Sequence, residues 1–293
     1  MNSCLEQEIY QRKYNSMSIN TKIFQIYFKT ELKSQCDPLF TPLDNTDNPR
    51  PELREWDVWN REHENILEQN LDLWGYVSWK FKEKTNLSAE QAFAHINDNP
   101  GYDVYLFNPC IVNEALFTNN WEQGDIHHPG ISQIGNAFFA KLGYDDVDVL
   151  ATLLDRNRTV FANYVVGNQR FWRDFMAFSR QLFTEADKDT DFKHQVFGEG
   201  LSKYAHDNSL PMFTFLIERL IPTFLDLNDY RVCPYVYTNE TLPEKYRPYA
   251  NDIKYLSDLK VLTNKYNSDE LYDVWNYFRM DYLRRNPSIL GLE

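Results

Sequence analysis

The sequence predicts an α/β fold with a mostly parallel central sheet. Three observations carry that reading. Short apolar runs rich in β-formers lie at 22–28, 73–79, 103–107 and 159–166. Helical patterns separate them, the alternation typical of parallel sheets. At 293 residues the chain is long enough for one large α/β domain or two small ones. The pattern divides it into a polar leader (1–20), an α/β domain (21–238) and a helical C-terminal accessory region (239–293).

In chain order, Lys22–Phe28 reads as the first buried strand, interrupted by Gln25. A polar side chain there needs a partner, either a core hydrogen bond or a ligand. Asp37–Pro51 is rich in Pro, Asn and Asp and reads as a long loop carrying Asp44 and Asn45. Glu52–Gln69 reads as a polar helix. Leu73–Trp79 is the next strand, followed by the basic cluster Lys80, Lys82 and Lys84. That cluster is either solubility charge or a cationic pocket for a phosphate-bearing ligand. Ser88 and Gln91 stand at the reciprocal positions of a capping box, which starts a helix to about Ile96.

Gly101–Pro109 is the stretch around which the rest is organised. It reads as a buried strand with Asp103 at its start and Asn108-Pro109 at its end. Ligands of open α/β sheets collect at strand ends, so polar groups there mark a candidate site. Asn113–Asn120 reads as a short helix. Trp121–Gly130 reads as a polar loop with two carboxylates and two histidines, which contacts a polar ligand more readily than a metal. Residues 131–156 have a helical pattern. Thr159–Val166 reads as a strand containing Asn163, and Asn168 as the N-cap of a helix with Phe171, Trp172, Phe175, Phe178 and Leu182 on one face. Pro211 opens an apolar helix that embeds Glu218-Arg219 near Pro222. The pair is either a structural ion pair or part of a site. Arg231–Tyr237 reads as a last β segment.

Composition narrows the function. The formal net charge is −13, which argues against non-specific nucleic-acid binding but leaves room for a small phosphate-bearing ligand held by a few local cations. Aromatic residues make up 16% of the chain, enough to offer stacking surfaces for sugars or bases as well as core. The four cysteines, Cys4, Cys36, Cys110 and Cys233, have no metal-finger spacing and read as free thiols. No signal peptide and no membrane-spanning run is legible, so the expected location is cytoplasmic, with peripheral contact at the inner membrane face compatible with it. The dinucleotide fingerprint, the P-loop and the hydrolase elbow are all absent.

The order of motifs resembles the bacterial glycosyltransferases of surface-polysaccharide gene clusters. The motifs are Phe24-Gln-Ile-Tyr27, Leu43-Asp-Asn45, Trp74–Phe81, Asp103–Pro109, Asn163–Trp172 and Phe215–Leu220. The resemblance spans roughly residues 20–235. It implies the A-type glycosyltransferase fold, a single nucleotide-binding α/β domain. It also implies a nucleotide-sugar donor and a saccharide or lipid-linked saccharide acceptor. The expected donor-binding residues are Gln25, Asp44, Asn45, Lys80, Lys82, Asp103, Asn163 and Arg219. Glu218, Glu122 and Asp125 are the candidate acid–base residues. The family's D-x-D holds a divalent cation, manganese or magnesium, on the diphosphate. Here Asp103-Val-Tyr105 lacks the second carboxylate, which leaves metal dependence open and gives Lys80 or Lys82 the neutralising role. Two other classes stay in play: a non-catalytic carbohydrate-binding or assembly protein, and a nucleotidyltransferase.

Overall fold

The computed structural model describes residues 19–198 and 210–291. Most of the expected leader, Cys4 with it, lies outside them. The described part is α/β, built on a six-stranded sheet: β1 (Thr21–Tyr27), β2 (Thr41–Asp44), β3 (Leu73–Ser78), β4 (Val104–Leu106), β5 (Val165–Asn168) and β6 (Val232–Pro234). The spatial order is β2-β1-β3-β5-β4-β6. β1 runs parallel to β2 and β3, and β4 parallel to β6, while β5 is antiparallel to both its neighbours.

Side chains alternate across this sheet with period two. Phe24, Ile26, Trp74, Tyr76, Val104, Leu106 and Val165 enter one apolar cluster. Ile23, Leu73, Val77, Tyr105, Phe107, Tyr164 and Val166 enter a second on the other face. Both faces are covered, as parallel sheets require. The first cluster is closed by helices α1 (Arg54–Leu67), α7 (Gln169–Lys188), α8 (Thr190–Phe197) and α9 (Phe213–Asp226), the second largely by α3 (Ala89–Asp98). Gly75 has a steric reason: a Cβ there would stand 2.1 Å from the Val165 carbonyl oxygen on the paired strand.

Several expected elements change. The loop at 37–51 contains strand β2, which the sequence hides behind Pro42. Proline is admissible because β2 is the sheet's edge. The single helix expected at 113–120 becomes α4 (Ile111–Leu116) and α5 (Asn120–His127), so most of the expected loop at 121–130 is helical. Asn119 starts α5 by accepting from the amides of Trp121 and Glu122. The helix expected over 131–156 stops early, as α6 (Ile131–Lys141). The strand expected at 159–166 begins only at Val165, because Ala162 and Asn163 are left-handed, with φ of 61° and 58°.

Other signals are realised as read. The capping box of Ser88 and Gln91 is complete, and Asn168 accepts from the Phe171 amide at 2.9 Å. Cys36 and Cys233 form no disulfide. Among the described residues no helix is long and apolar enough to cross a membrane.

The C-terminal helices α10 (Ala250–Tyr266) and α11 (Asp269–Arg285) are built into the molecule rather than appended. Val112, Ala115 and Leu116 of α4 share a third apolar cluster with Leu256, Trp275 and Tyr282. The Trp275 indole donates to the Ala115 carbonyl at 3.0 Å. Lys260, fully buried, donates to the carbonyls of Glu114 and Phe117.

Candidate functional site

A cleft of about 730 Å³ opens at the carboxyl edge of the parallel strands. Ser78 reaches it from the end of β3, Pro109 and Cys110 from just past β4, and Asn163 and Tyr164 from just before β5. The antiparallel run of β5 is what brings its amino end to the same edge. Arg54 and Glu55 enter from the first turn of α1, Lys84 from the short helix α2 (Phe81–Thr85), and Lys245 and Tyr246 from beyond β6. Helices α5 and α9 form the remaining wall, with Gln123, His127, His128, Phe215, Glu218 and Arg219. The carboxyl ends of strands are where open α/β sheets bind ligands.

The wall has a charged outside and a nearly charge-balanced floor. Arg54, Lys84 and Lys245 are exposed. On the floor Arg219 is 2% exposed and donates to Gln123 Oε1 and to the Phe215 carbonyl, each at 2.7 Å, with Glu218 Oε2 at 3.5 Å. Gly124 makes room for it, since a Cβ there would stand 2.3 Å from Arg219 Nε. Glu218 turns its other oxygen to the Ala162 amide at 2.6 Å. That bond fixes the left-handed turn that presents Asn163. Left-handed alanine is strained, and strain of this kind concentrates at working sites.

His128 lies on Phe215, ring centroids 3.6 Å apart and 21° from parallel. Burial, then the nearby charge of Arg219, then His127, push its pKa down to about 3, so the ring is neutral. Its Nδ1 is buried without a hydrogen-bond partner, and so is Asn163 Oδ1. Burial raises the Glu55 carboxyl above the ordinary carboxylate range, against the pull of Lys84 and Arg54 and with a push from Glu218.

The expected site residues separate into two groups. Asn163, Glu218 and Arg219 line the cleft. From the basic cluster it is Lys84 that does so, while Lys80 pairs with Glu83 at 3.5 Å and covers the Trp79 ring, and Lys82 is exposed outside it. Gln25 is buried between strands, donating to the Ser78 carbonyl at 3.2 Å and accepting from the Asp37 amide at 2.7 Å. It ties the loop after β1 to the sheet. Asp44 accepts from the Tyr27 hydroxyl at 2.7 Å and from Thr46, and Asn45 from Arg61 at 2.6 Å. Both stand at the carboxyl end of β2, outside the cleft wall.

Asp103 stands at the amino end of β4, the edge opposite the cleft. Its oxygens are taken by Asn168 at 2.9 Å and by Arg231, whose amide lies at 2.9 Å. Burial opposes its ionisation, but the Arg231 hydrogen bonds outweigh that and hold the carboxyl below the usual range. Glu122 accepts from Arg279 and the Thr118 amide, a tie to α11. Asp125 accepts from the amides of Gly130 and Ser132, both at 3.2 Å, and so caps α6.

A divalent cation does not fit Asp103, whose lone pairs are spent in that ion pair. Among the described residues no group of three or more His, Cys, Asp or Glu side chains is arranged to hold a metal. The three exposed cations of the cleft, Arg54, Lys84 and Lys245, are the groups placed to meet an anion. Sequence reasoning missed Arg54, Glu55 and Lys245 altogether. His127 and His128 line the cleft and belong to the stretch that reads as a polar loop, most of which is helical.

No protein-family model, no curated protein and no solved structure matches the chain.

Proposed function

We propose that the protein is a glycosyltransferase that moves a sugar from a nucleoside-diphosphate sugar to a saccharide acceptor, in the synthesis of a cell-surface polysaccharide. The observation that carries the reading is the cleft itself. It lies at the carboxyl edge of a mostly parallel sheet and sets Arg54, Lys84 and Lys245 around a floor of hydrogen-bonding groups. The motif order that resembles surface-polysaccharide glycosyltransferases supports the same reading, and the A-type fold goes with it. In the reaction the acceptor hydroxyl attacks the anomeric carbon. The bond from that carbon to the diphosphate oxygen breaks, and the diphosphate leaves with the electron pair. Exposed cations stabilise that charge as it develops. The acceptor proton goes to Glu55, whose raised pKa suits a base working near neutrality. Glu218 has one oxygen on the Ala162 amide and acts as a positioning residue.

The test is a thermal-shift screen with nucleoside diphosphates and their sugar conjugates, followed by assay of donor hydrolysis. A ligand at 100 times its Kd stabilises the folded state by about 2.7 kcal/mol. Stabilisation together with slow release of nucleoside diphosphate is the expected result. Binding without hydrolysis favours the non-catalytic carbohydrate-binding reading. No response to any nucleotide at millimolar concentration removes the proposal.

A further inference from the structure

We infer that His128 and Asn163 form a subsite that reads hydroxyl groups of the donor sugar, and that the cleft divides into a diphosphate rim and a sugar floor. The inference rests on the glycosyltransferase reading and adds to it where each part of the donor lies. Two residues that line the cleft, His128 and Asn163, each bury a side-chain atom without a hydrogen-bond partner, Nδ1 and Oδ1 respectively. They are 4% and 6% exposed. A buried polar atom left unpaired is costly, so a partner is expected when the site is in use.

Both atoms are held in place by groups that do not satisfy them. His128 is fixed by its stack on Phe215. Asn163 is fixed by a left-handed turn whose Ala162 amide is bound by Glu218. The partner that suits them is a neutral group that both donates and accepts. Asn163 Oδ1 only accepts, whereas a neutral imidazole nitrogen donates or accepts according to tautomer. A sugar hydroxyl meets either need.

Charge decides the orientation of the donor. The exposed cations Arg54, Lys84 and Lys245 suit a diphosphate that keeps part of its hydration. On the floor, the Arg219 charge is engaged by Gln123, the Phe215 carbonyl and Glu218. A second anion buried beside Glu218 is disfavoured there. The uncharged sugar therefore belongs at the floor.

The experiment compares uridine and guanosine diphosphates with their hexose conjugates by titration calorimetry, on the wild type, His128→Phe and Asn163→Gly. Phenylalanine keeps the stack on Phe215, and glycine accepts the left-handed backbone without strain. Each variant is expected to weaken the hexose conjugate about five- to tenfold, the scale of one neutral hydrogen bond. Binding of the parent diphosphate is expected to stay within about twofold. On the wild type, conjugates of deoxyhexoses are expected to show the same loss, a measurement that does not depend on a variant folding. Equal affinity for hexose and deoxyhexose conjugates, or unchanged hexose binding in both variants, overturns the subsite while leaving the glycosyltransferase reading intact. Equal weakening of diphosphate and conjugate also overturns it. Failure of the wild type to bind any of these nucleotides overturns the functional reading itself, and the subsite with it.

Discussion

Replacing Arg279 with methionine tests whether the C-terminal helices belong to the same cooperative unit as the cleft. Arg279 Nη1 donates to both Glu122 oxygens, at 3.1 and 2.9 Å, and to the Leu116 carbonyl at 3.1 Å. Its guanidinium lies 4.4 Å from the centre of the Trp275 ring. The Arg279 side chain is 11% exposed and that of Glu122 is 33%. A hydrogen bond to a charged group contributes about 1.5–3 kcal/mol, and the lower end applies here because Glu122 regains water when its partner is removed. The carbonyl bond adds about 1 kcal/mol and the ring contact about 0.5–1 kcal/mol. Methionine retains most of the stem packing. The expected loss is about 3 kcal/mol, read as a lower urea midpoint at unchanged slope.

The same variant has a pH signature. Burial opposes ionisation of Glu122, but Arg279 and the Thr118 amide outweigh that and depress its pKa. A depressed carboxyl contributes stability above its unfolded pKa, about 4.3, and loses it as the pH falls through the folded value. The Glu122 share of the gap between wild type and variant is therefore expected to vanish as the pH falls below about 4, while the share from the Leu116 carbonyl and the Trp275 ring remains. A loss under about 1 kcal/mol, or a separate early transition for the C-terminal helices, would refute the reasoning and return 239–293 to an accessory role.

Three further outcomes follow from the cleft. Glu55→Gln is expected to cut donor hydrolysis about 100-fold or more. Because burial raises the Glu55 pKa, ionisation costs the fold stability from the unfolded carboxylate pKa upward. The Gln variant should then melt no lower than wild type at pH 7, and a lower melting point would make Glu55 structural. Lys84→Ala should weaken nucleoside diphosphate binding by about 1–3 kcal/mol in calorimetry, while Lys80→Ala and Lys82→Ala leave it unchanged. The reverse pattern would move the diphosphate out of the cleft. Ala162→Gly should stabilise the fold by about 0.5–1 kcal/mol in urea, since left-handed alanine costs about 1–2 kcal/mol and glycine's extra freedom returns part of that. Destabilisation would mean that the turn is unstrained.

Local chemistry was legible in the sequence, and so was the class. The capping box at Ser88 and Gln91 and the cap at Asn168 needed only side-chain type and spacing. The four principal strands were visible as apolar runs, although the fourth was placed several residues early. What failed was whatever depended on tertiary position. Pro42 argued against a strand because nothing in the sequence says that β2 is an edge. The polar stretch at 121–130 hid a helix whose start is fixed by Asn119. Asp103 looked like a site carboxylate because a strand has two ends and the sequence does not say which one faces the ligand. The structure turns it to the amino edge, onto Arg231. Glu122 and Asp125 read as acid–base candidates by charge alone, and in the fold their carboxylates accept from backbone amides and, for Glu122, from Arg279. Lys245 carried no signal, because it reaches the cleft from a segment far along the chain.

The charge pattern bears on how an acidic protein would take the proposed anionic donor. The whole chain carries −13, a field that repels a nucleotide from most of its surface. In the cleft four cations, Arg54, Lys84, Arg219 and Lys245, meet two carboxylates, Glu55 and Glu218. The local balance is positive, four against two, opposite in sign to the chain as a whole. Low-dielectric walls focus such a field toward the opening. Three of the cations are exposed, so they act on a ligand before it docks, whereas Arg219 is buried and acts only on what reaches the floor. Raised salt therefore screens the three exposed cations far more than Arg219. On the proposed function, salt should slow nucleotide association through the rim and leave the sugar preference of the floor unchanged.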